Sequence, residues 1–271
     1  MRMALLLPFL LAACSQGEER PAAQRTDGLP TIVSLNPCTD AVLAEVAEPG
    51  QLLAISHYSQ DPSSSSMPLD LARNYRVTGG TVEEVIALGP DIVVAGAFLA
   101  PATQAAFQRL GIQVETFGIV SSPAESAEQV ERLARIAGNP AGGEALNARI
   151  ADSLEAARWD GEAVPALLWQ QGGIVAGDGA LVSNLLLHAG FSSHAAARGL
   201  GQGAYVPLER VLADPPAVVI AAGGERALAH PALSAMEGTQ YARLDPALTY
   251  CGGPTIIRAV EALAQIRRDV G

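Results

Sequence analysis

Val82-Glu83-Glu84-Val85-Ile86-Ala87-Leu88-Gly89-Pro90-Asp91-Ile92-Val93-Val94-Ala95 aligns without a gap on Leu208-Glu209-Arg210-Val211-Leu212-Ala213-Asp214-Pro215-Pro216-Ala217-Val218-Val219-Ile220-Ala221. Each copy reads as a short amphipathic helix with an acidic first turn, a proline stop, and an apolar run of strand length. The same helix-turn-strand unit, once in each half, implies two similar α/β lobes. Two lobes that face one another enclose a cleft, the usual seat of a small ligand.

Outward from the first copy the pattern alternates. Strand-like runs at residues 31–35, 52–55, 91–95 and 113–117 are separated by helical stretches at 40–47, 82–88 and 102–110, which is the signature of a parallel βαβ lobe. Ser122 opens a helix over 123–137, closed by Gly138-Asn139-Pro140. A further helix over 142–159 spans about 27 Å at 1.5 Å per residue, enough to connect two lobes stiffly. The second half has a strand at 165–170, a helix at 181–189, the second copy, a strand at 240–244 and a last helix over 254–269. That last helix sets Ile256, Ile257, Val260, Leu263, Ala264 and Ile266 against Arg258, Glu261, Arg267 and Arg268. The expected division is a signal segment at 1–13, a tether at 14–30, one lobe at 31–140, the linking helix at 141–160 and a second lobe at 161–271. At this length each lobe is expected to have its own core.

Hydrophobic residues make up 49% of the chain and aromatics only 4%, so Ala, Val, Leu and Ile must build the interior. A net charge of −11 argues against a nucleic-acid partner, whose phosphates need a basic face. The start is charged at Arg2, apolar over residues 4–11 and too short to span a bilayer, which fits a signal segment. It ends in Leu11-Ala12-Ala13-Cys14, which resembles a bacterial lipoprotein signal and implies lipidation of Cys14, with residues 15–28 as a polar tether. The expected location is therefore periplasmic or cell-surface and lipid-anchored. Cys38 and Cys251 then remain as an even pair in an oxidising compartment, and a disulfide is the first expectation. Left free, the two thiols beside His57 could instead bind a soft metal or serve a cysteine-dependent enzyme.

Glycines fall where predicted strands end, at Gly79-Gly80, Gly96, Gly118, Gly172-Gly173, Gly223-Gly224 and Gly252-Gly253. In open α/β sheets ligands sit beyond the carboxyl ends of the strands, so together these glycines outline a cleft rim. Motifs of catalysis are missing: there is no Gly-x-Ser-x-Gly, His-Glu-x-x-His or Cys-x-x-Cys. Gly201-Gln202-Gly203 is only a fragment of a dinucleotide loop and does not follow a strand. The four histidines, 57, 188, 194 and 230, are too dispersed for a free metal-ion site.

Ile32-Val33-Ser34-Leu35-Asn36-Pro37, Ser56-His57-Tyr58-Ser59, the Ala-Leu-x-Pro-Asp core of the first copy and the second copy from Leu208 to Ile220 resemble the substrate-binding proteins of ABC importers for cobalamin and ferric siderophores. The resemblance covers nearly the whole chain after the tether. It implies an α/β fold of two Rossmann-like lobes with parallel sheets, joined by a single long helix, with the ligand between them. It implies a binding component and not an enzyme, a monomer with no resident cofactor or metal, working with a permease and ATPase in the inner membrane. An acidic residue on each lobe meets the permease in this family, and by motif these are Glu83 and Glu209. The ligand set falls on Asn36, Cys38, His57, Tyr58, Phe98, Gln170, Tyr205 and Tyr250, Tyr58 matching a family contact most directly. Of the two tryptophans, Trp159 falls on the linking helix and Trp169 near a strand end. Arg73 and Arg76 lie near a strand end, and Arg226 and Arg243 have no assigned place. With few tryptophans and no clear arginine set, the ligand stays open among cobalamin, a ferric siderophore and haem.

Overall fold

The computed structural model describes residues 28–224 and 230–271, so the signal segment, Cys14, most of the tether and Arg226 lie outside the described residues. The first sheet contains β1 (Ile32–Ser34), β2 (Leu52–Ser56), β3 (Val77–Thr78), β4 (Ile92–Gly96) and β5 (Gln113–Phe117), all parallel in the order β3-β2-β1-β4-β5. The second contains β6 (Val164–Gln170), β7 (Ile174–Val175), β8 (Phe191–Ser193), β9 (Ala204–Tyr205), β10 (Val218–Ala222) and β11 (Gln240–Leu244). Its order is β11-β10-β6-β7-β9, with β8 also paired to β6. There β6, β8, β10 and β11 are parallel, while β7 and β9 form an antiparallel ribbon at the carboxyl end of β6.

The helices are α1 (Pro37–Val46), α2 (Leu69–Ala72), α3 (Val82–Leu88), α4 (Pro101–Arg109), α5 (Pro123–Ile136), α6 (Pro140–Ala157), α7 (Leu181–His188), α8 (Leu208–Ala213), α9 (Pro231–Ser234) and α10 (Thr255–Val270). The repeated stretch is α3 then β4 in one half and α8 then β10 in the other, in the same register. The duplication reaches further than the sequence shows: β1-β2 corresponds to β6-β8, and β4-β5 to β10-β11, each pair parallel and adjacent.

Two helices begin earlier than periodicity suggests. Asn36 caps α1 by accepting the N–H of Cys38 at 2.8 Å, and Asn139 caps α6 by accepting that of Gly142 at 2.9 Å. In both a proline occupies the first helical position, where its missing N–H costs nothing. Pro140 therefore opens α6 and does not merely close α5, and Cys38 lies in the first turn of α1, not in a loop.

Each lobe has a core of its own, and the largest cluster is shared between them. Alternation along each strand sends Ile32 and Val94, and Ala166 and Leu168, into one continuous apolar cluster with Leu43 of α1, Leu133 of α5, Leu146 and Ile150 of α6, Leu185 of α7 and Leu263 of α10. The opposite faces form two smaller cores: Val33, Val85, Val93 and Phe107 in the first lobe, Leu167, Trp169, Val211 and Val219 in the second. A fully buried leucine contributes roughly 1.5–3 kcal/mol, so this shared cluster resists separation of the lobes much more than a lone connecting helix would. Arg267, expected on the outer face of the last helix, is 3% exposed. It lies one helical turn from Leu263, donates to Gly190 O and Glu162 O at 3.2 Å each, and stacks on Trp159 at 4.1 Å. Gly201-Gln202-Gly203 is a turn leading into β9, Gly203 N–H bonding Val175 O, and opens no helix.

Candidate functional site

Four of the five strands of the first sheet deliver a side chain at the carboxyl end: Asn36 after β1, His57 and Tyr58 after β2, Phe98 after β4 and Ile119 after β5. From the other half come Gln170, which ends β6, Tyr205 on β9, and Tyr250 in the segment before α10. Tyr205 is level with Gln170 because both pair with Ile174 of β7. In a chain so poor in aromatics, Phe98 is 85% exposed, Tyr205 67%, Tyr58 53% and Tyr250 52%, with Ile119 at 66%. Of these, Phe98, Ile119 and Tyr250 line one cavity, and large apolar side chains exposed together make it a candidate binding face.

Asn36, Cys38, Phe98 and Tyr250 line one cavity of about 150 Å³, together with Phe117, Ile119 and Val120. This is below the roughly 300–1,000 Å³ of a pocket that encloses a drug-sized ligand. The amide of Asn36 lies over Gly96, where an added Cβ would meet Nδ2 at 2.8 Å, so glycine is required there for the close approach. His57 and Tyr58 sit outside the cavity on the neighbouring strand, their rings 4.0 Å apart, and Gln170 and Tyr205 stand on the opposing half. Thr39, Phe117, Ile119, Val120 and Gln129 also line the cavity but were missed by sequence reasoning. Ile119 was within reach, since it follows Gly118, one of the strand-end glycines. Gln129 lies on α5 and is brought in by its bond to Gly118 O at 2.9 Å, a long-range contact with no local signal.

Cys38 and Cys251 form a disulfide with Cα atoms 5.1 Å apart. With both sulfurs paired, neither is a nucleophile or metal ligand, which removes the cysteine-enzyme and soft-metal readings. Among the described residues no three His, Cys, Asp or Glu side chains converge. His194 is buried and structural: Nε2 lies 3.1 Å from Asp214 O, and burial holds its pKa below the ordinary histidine value. Trp169 is 1% exposed with its N–H on Val206 O at 2.9 Å, so it offers no face to a ligand. Arg76 leads into the edge strand β3 beside Ala54, below the strand ends, and Arg243 lies within β11. Arg132 stacks on Phe117 from outside the cavity and is engaged by Glu115 and Thr116 O. Among the described residues the cavity wall thus has amides and hydroxyls but no basic side chain.

Asp40, fully buried in α1, anchors the turn that carries His57 and Tyr58. Its Oδ2 accepts Ser56 N–H at 2.9 Å and Ser59 O–H at 2.6 Å, while Oδ1 has no hydrogen-bond partner among the described residues. Burial pushes the Asp40 pKa up to about 7. The folded protein therefore holds a proton that the unfolded chain releases near pH 4, and stability is lost as pH rises from that value through 7. Between pH 5 and pH 8 the loss is on the order of 2–3 kcal/mol. Asp40→Asn is expected to flatten that slope in urea titrations at the two pH values; an unchanged slope would place the proton elsewhere.

Residues 32–242 match the family described as periplasmic binding protein. No curated protein sequence matches the chain. Among solved structures, it resembles the periplasmic heme-binding protein RhuT from Roseiflexus sp. RS-1 at 20% identity and a TM-score of 0.72, covering 90% of this chain and 99% of that one. The periplasmic heme binding protein HutB of Vibrio cholerae follows at 16% and 0.71, covering 88% and 98%. The periplasmic vitamin B12 binding protein BtuF of Vibrio cholerae matches at 19% and 0.67, covering 89% and 97%. These likenesses establish the fold.

Proposed function

Because the chain belongs to the periplasmic binding protein family, we propose that it is the extracytoplasmic solute-binding component of an ABC importer, and that its cargo is a corrinoid-like metal chelate. The observation that supports the choice of cargo is the lack of a basic side chain among the described residues that line the cavity. Tyr58, Phe98, Tyr205 and Tyr250 supply flat apolar area, and Asn36, Gln129 and Gln170 supply amide donors and acceptors. An amide-edged macrocycle satisfies such a surface, whereas the carboxylates of haem or of an anionic siderophore would be desolvated there without a cationic partner. Residues 31–140 and 161–271 act as the two ligand-facing lobes, with Cys14 lipidated and residues 14–30 as the tether.

Glu83 and Glu209 are the contacts to the permease. Each is exposed in the first turn of its helix, and neither makes a hydrogen bond or ion pair among the described residues, which leaves both carboxylates available to a basic partner.

The test is spectrophotometric titration of the purified protein with cyanocobalamin, hemin and a ferric siderophore. Cyanocobalamin should bind with a micromolar or tighter Kd, and Tyr58→Ala should weaken it about tenfold, the loss of one stacked ring and its hydroxyl contact. Tighter binding of hemin than of cyanocobalamin would overturn the corrinoid assignment and leave the importer role to be judged by uptake.

A further inference from the structure

Apart from Tyr250 and Gly252, every described residue lining the cavity belongs to the first half of the chain. Tyr250 comes from the segment after β11, far along the chain, yet it lines the same cavity as Asn36 and Phe98. We propose that Tyr250 is a cargo-specificity residue donated by the C-terminal half to the N-terminal lobe, and that the Cys38–Cys251 disulfide is the device that positions it. The proposal rests on the reading that cargo occupies this cleft.

The segment is fastened to the N-terminal lobe by more than the disulfide. Ser66 Oγ donates to Cys251 Sγ at 2.7 Å, Gly253 N–H to Ser126 Oγ at 2.7 Å, and Thr255 Oγ1 to Ser66 O at 2.9 Å. These groups are buried: Ser126 is 1% exposed, Ser66 3%, Cys251 4% and Thr255 0%. The backbone approaches so closely that a Cβ at Gly252 would meet Ser126 Oγ at 2.5 Å, and one at Gly253 would meet Val42 Cγ2 at the same distance. Tyr250 itself is half exposed and makes no hydrogen bond among the described residues, so the placement of its ring depends on the backbone next to it, which Cys251 fixes. An aromatic side chain on a fixed backbone loses less freedom when it closes on a ligand than one on a loose loop, and the saving appears as affinity.

The other aromatic from the second half behaves differently. Tyr205 belongs to the β7-β9 ribbon and leans on Gly173, where an added Cβ would meet its ring at 2.7 Å. When the lobes shift, Tyr205 travels with the second sheet while Tyr250 stays with Asn36 and Phe98. The half-site that retains cargo is thus the N-terminal lobe with Tyr250 attached.

A double-mutant cycle tests this, using cyanocobalamin as probe on the full mature chain: wild type, Tyr250→Ala, Cys38→Ser with Cys251→Ser, and all three changes together. Tyr250→Ala should raise Kd about tenfold with the disulfide present and less than twofold without it, and the double serine variant should already bind about as weakly as Tyr250→Ala. Independent losses that multiply, or a double serine variant that binds like wild type, would overturn the proposal. Hydrogen exchange supplies an arm that needs no ligand: the amide of Gly253 should exchange at least tenfold faster in the double serine variant, with the amides of β10 unchanged. Failure of the wild type to bind cyanocobalamin would sink the corrinoid reading alone, since unchanged exchange at Gly253 is what rejects the positioning role, and the cycle can then be run with hemin. If the double serine variant does not fold, Gly252→Ala, which forces the segment off Ser126 with the disulfide intact, must give the same loss of affinity, and wild-type affinity in that variant would reject the idea.

Discussion

Lysine at both 83 and 209 is expected to abolish uptake in whole cells while leaving the Kd for cargo within twofold of wild type. The two carboxylates occupy the same place in duplicated units, one before each buried central strand, so they project from equivalent points of the two lobes. A carboxylate in the first helical turn sits favourably at the positive end of the helix dipole, on the side presented to a partner. Reversing one charge at an interface introduces repulsion as well as removing attraction, and two reversals on separate lobes block both points of contact. Glu84 is the control that separates docking from local structure. Its carboxylate accepts Thr78 O–H at 2.8 Å and Gly79 N–H at 2.6 Å, and these bonds hold its pKa below the ordinary value. Glu84→Lys should therefore disturb the turn after β3 and not the permease contact. Uptake that survives the double reversal, measured alongside an unchanged Kd, would remove these residues from the docking face.

Loss of the disulfide is expected to be the largest single cost to stability. It closes a loop of sequence separation 213, and the chain-entropy relation gives about 5 kcal/mol for a loop of that length. For a chain of this size the corresponding fall in Tm is roughly 10–20 °C, measured by calorimetry on the double serine variant or on wild type in strong reductant. The shared core and the Thr255 Oγ1 to Ser66 O bond do not involve the sulfurs, so the variant should still fold at room temperature. A fall of only a few degrees would mean that the unfolded chain gains little freedom from the break, against the entropic account.

The long elements were legible because their signals are local. The strand at 240–244 and the helix at 181–188 appear as the alternation and periodicity of the chain require, and β4 and β10 were marked by apolar runs after Pro90 and Pro216. The ribbon of β7 and β9 was not, since two residues are too few to carry a period and their pairing depends on the end of β6. Arg267 was misplaced because the chemistry of its side chain pointed outward while the backbone carbonyls of Gly190 and Glu162 drew it in.

The amino-acid order alone was enough for the duplicated α/β design, the placement of Glu83 and Glu209 on matching helices, and the expectation that Cys38 pairs with Cys251. Each follows from periodicity, position in a repeat, or the chemistry of an oxidising compartment, all of which are properties of short windows or simple counts. Folding in three dimensions was needed to see that the lobes share a core beside their own, that no described arginine lines the cavity, and that Tyr250 joins Asn36 and Phe98 in its wall. Those facts depend on which distant segments come into contact. Contact between α10, α6 and the 250–255 segment is set by the joint burial of side chains far apart in the chain, and no local pattern records it.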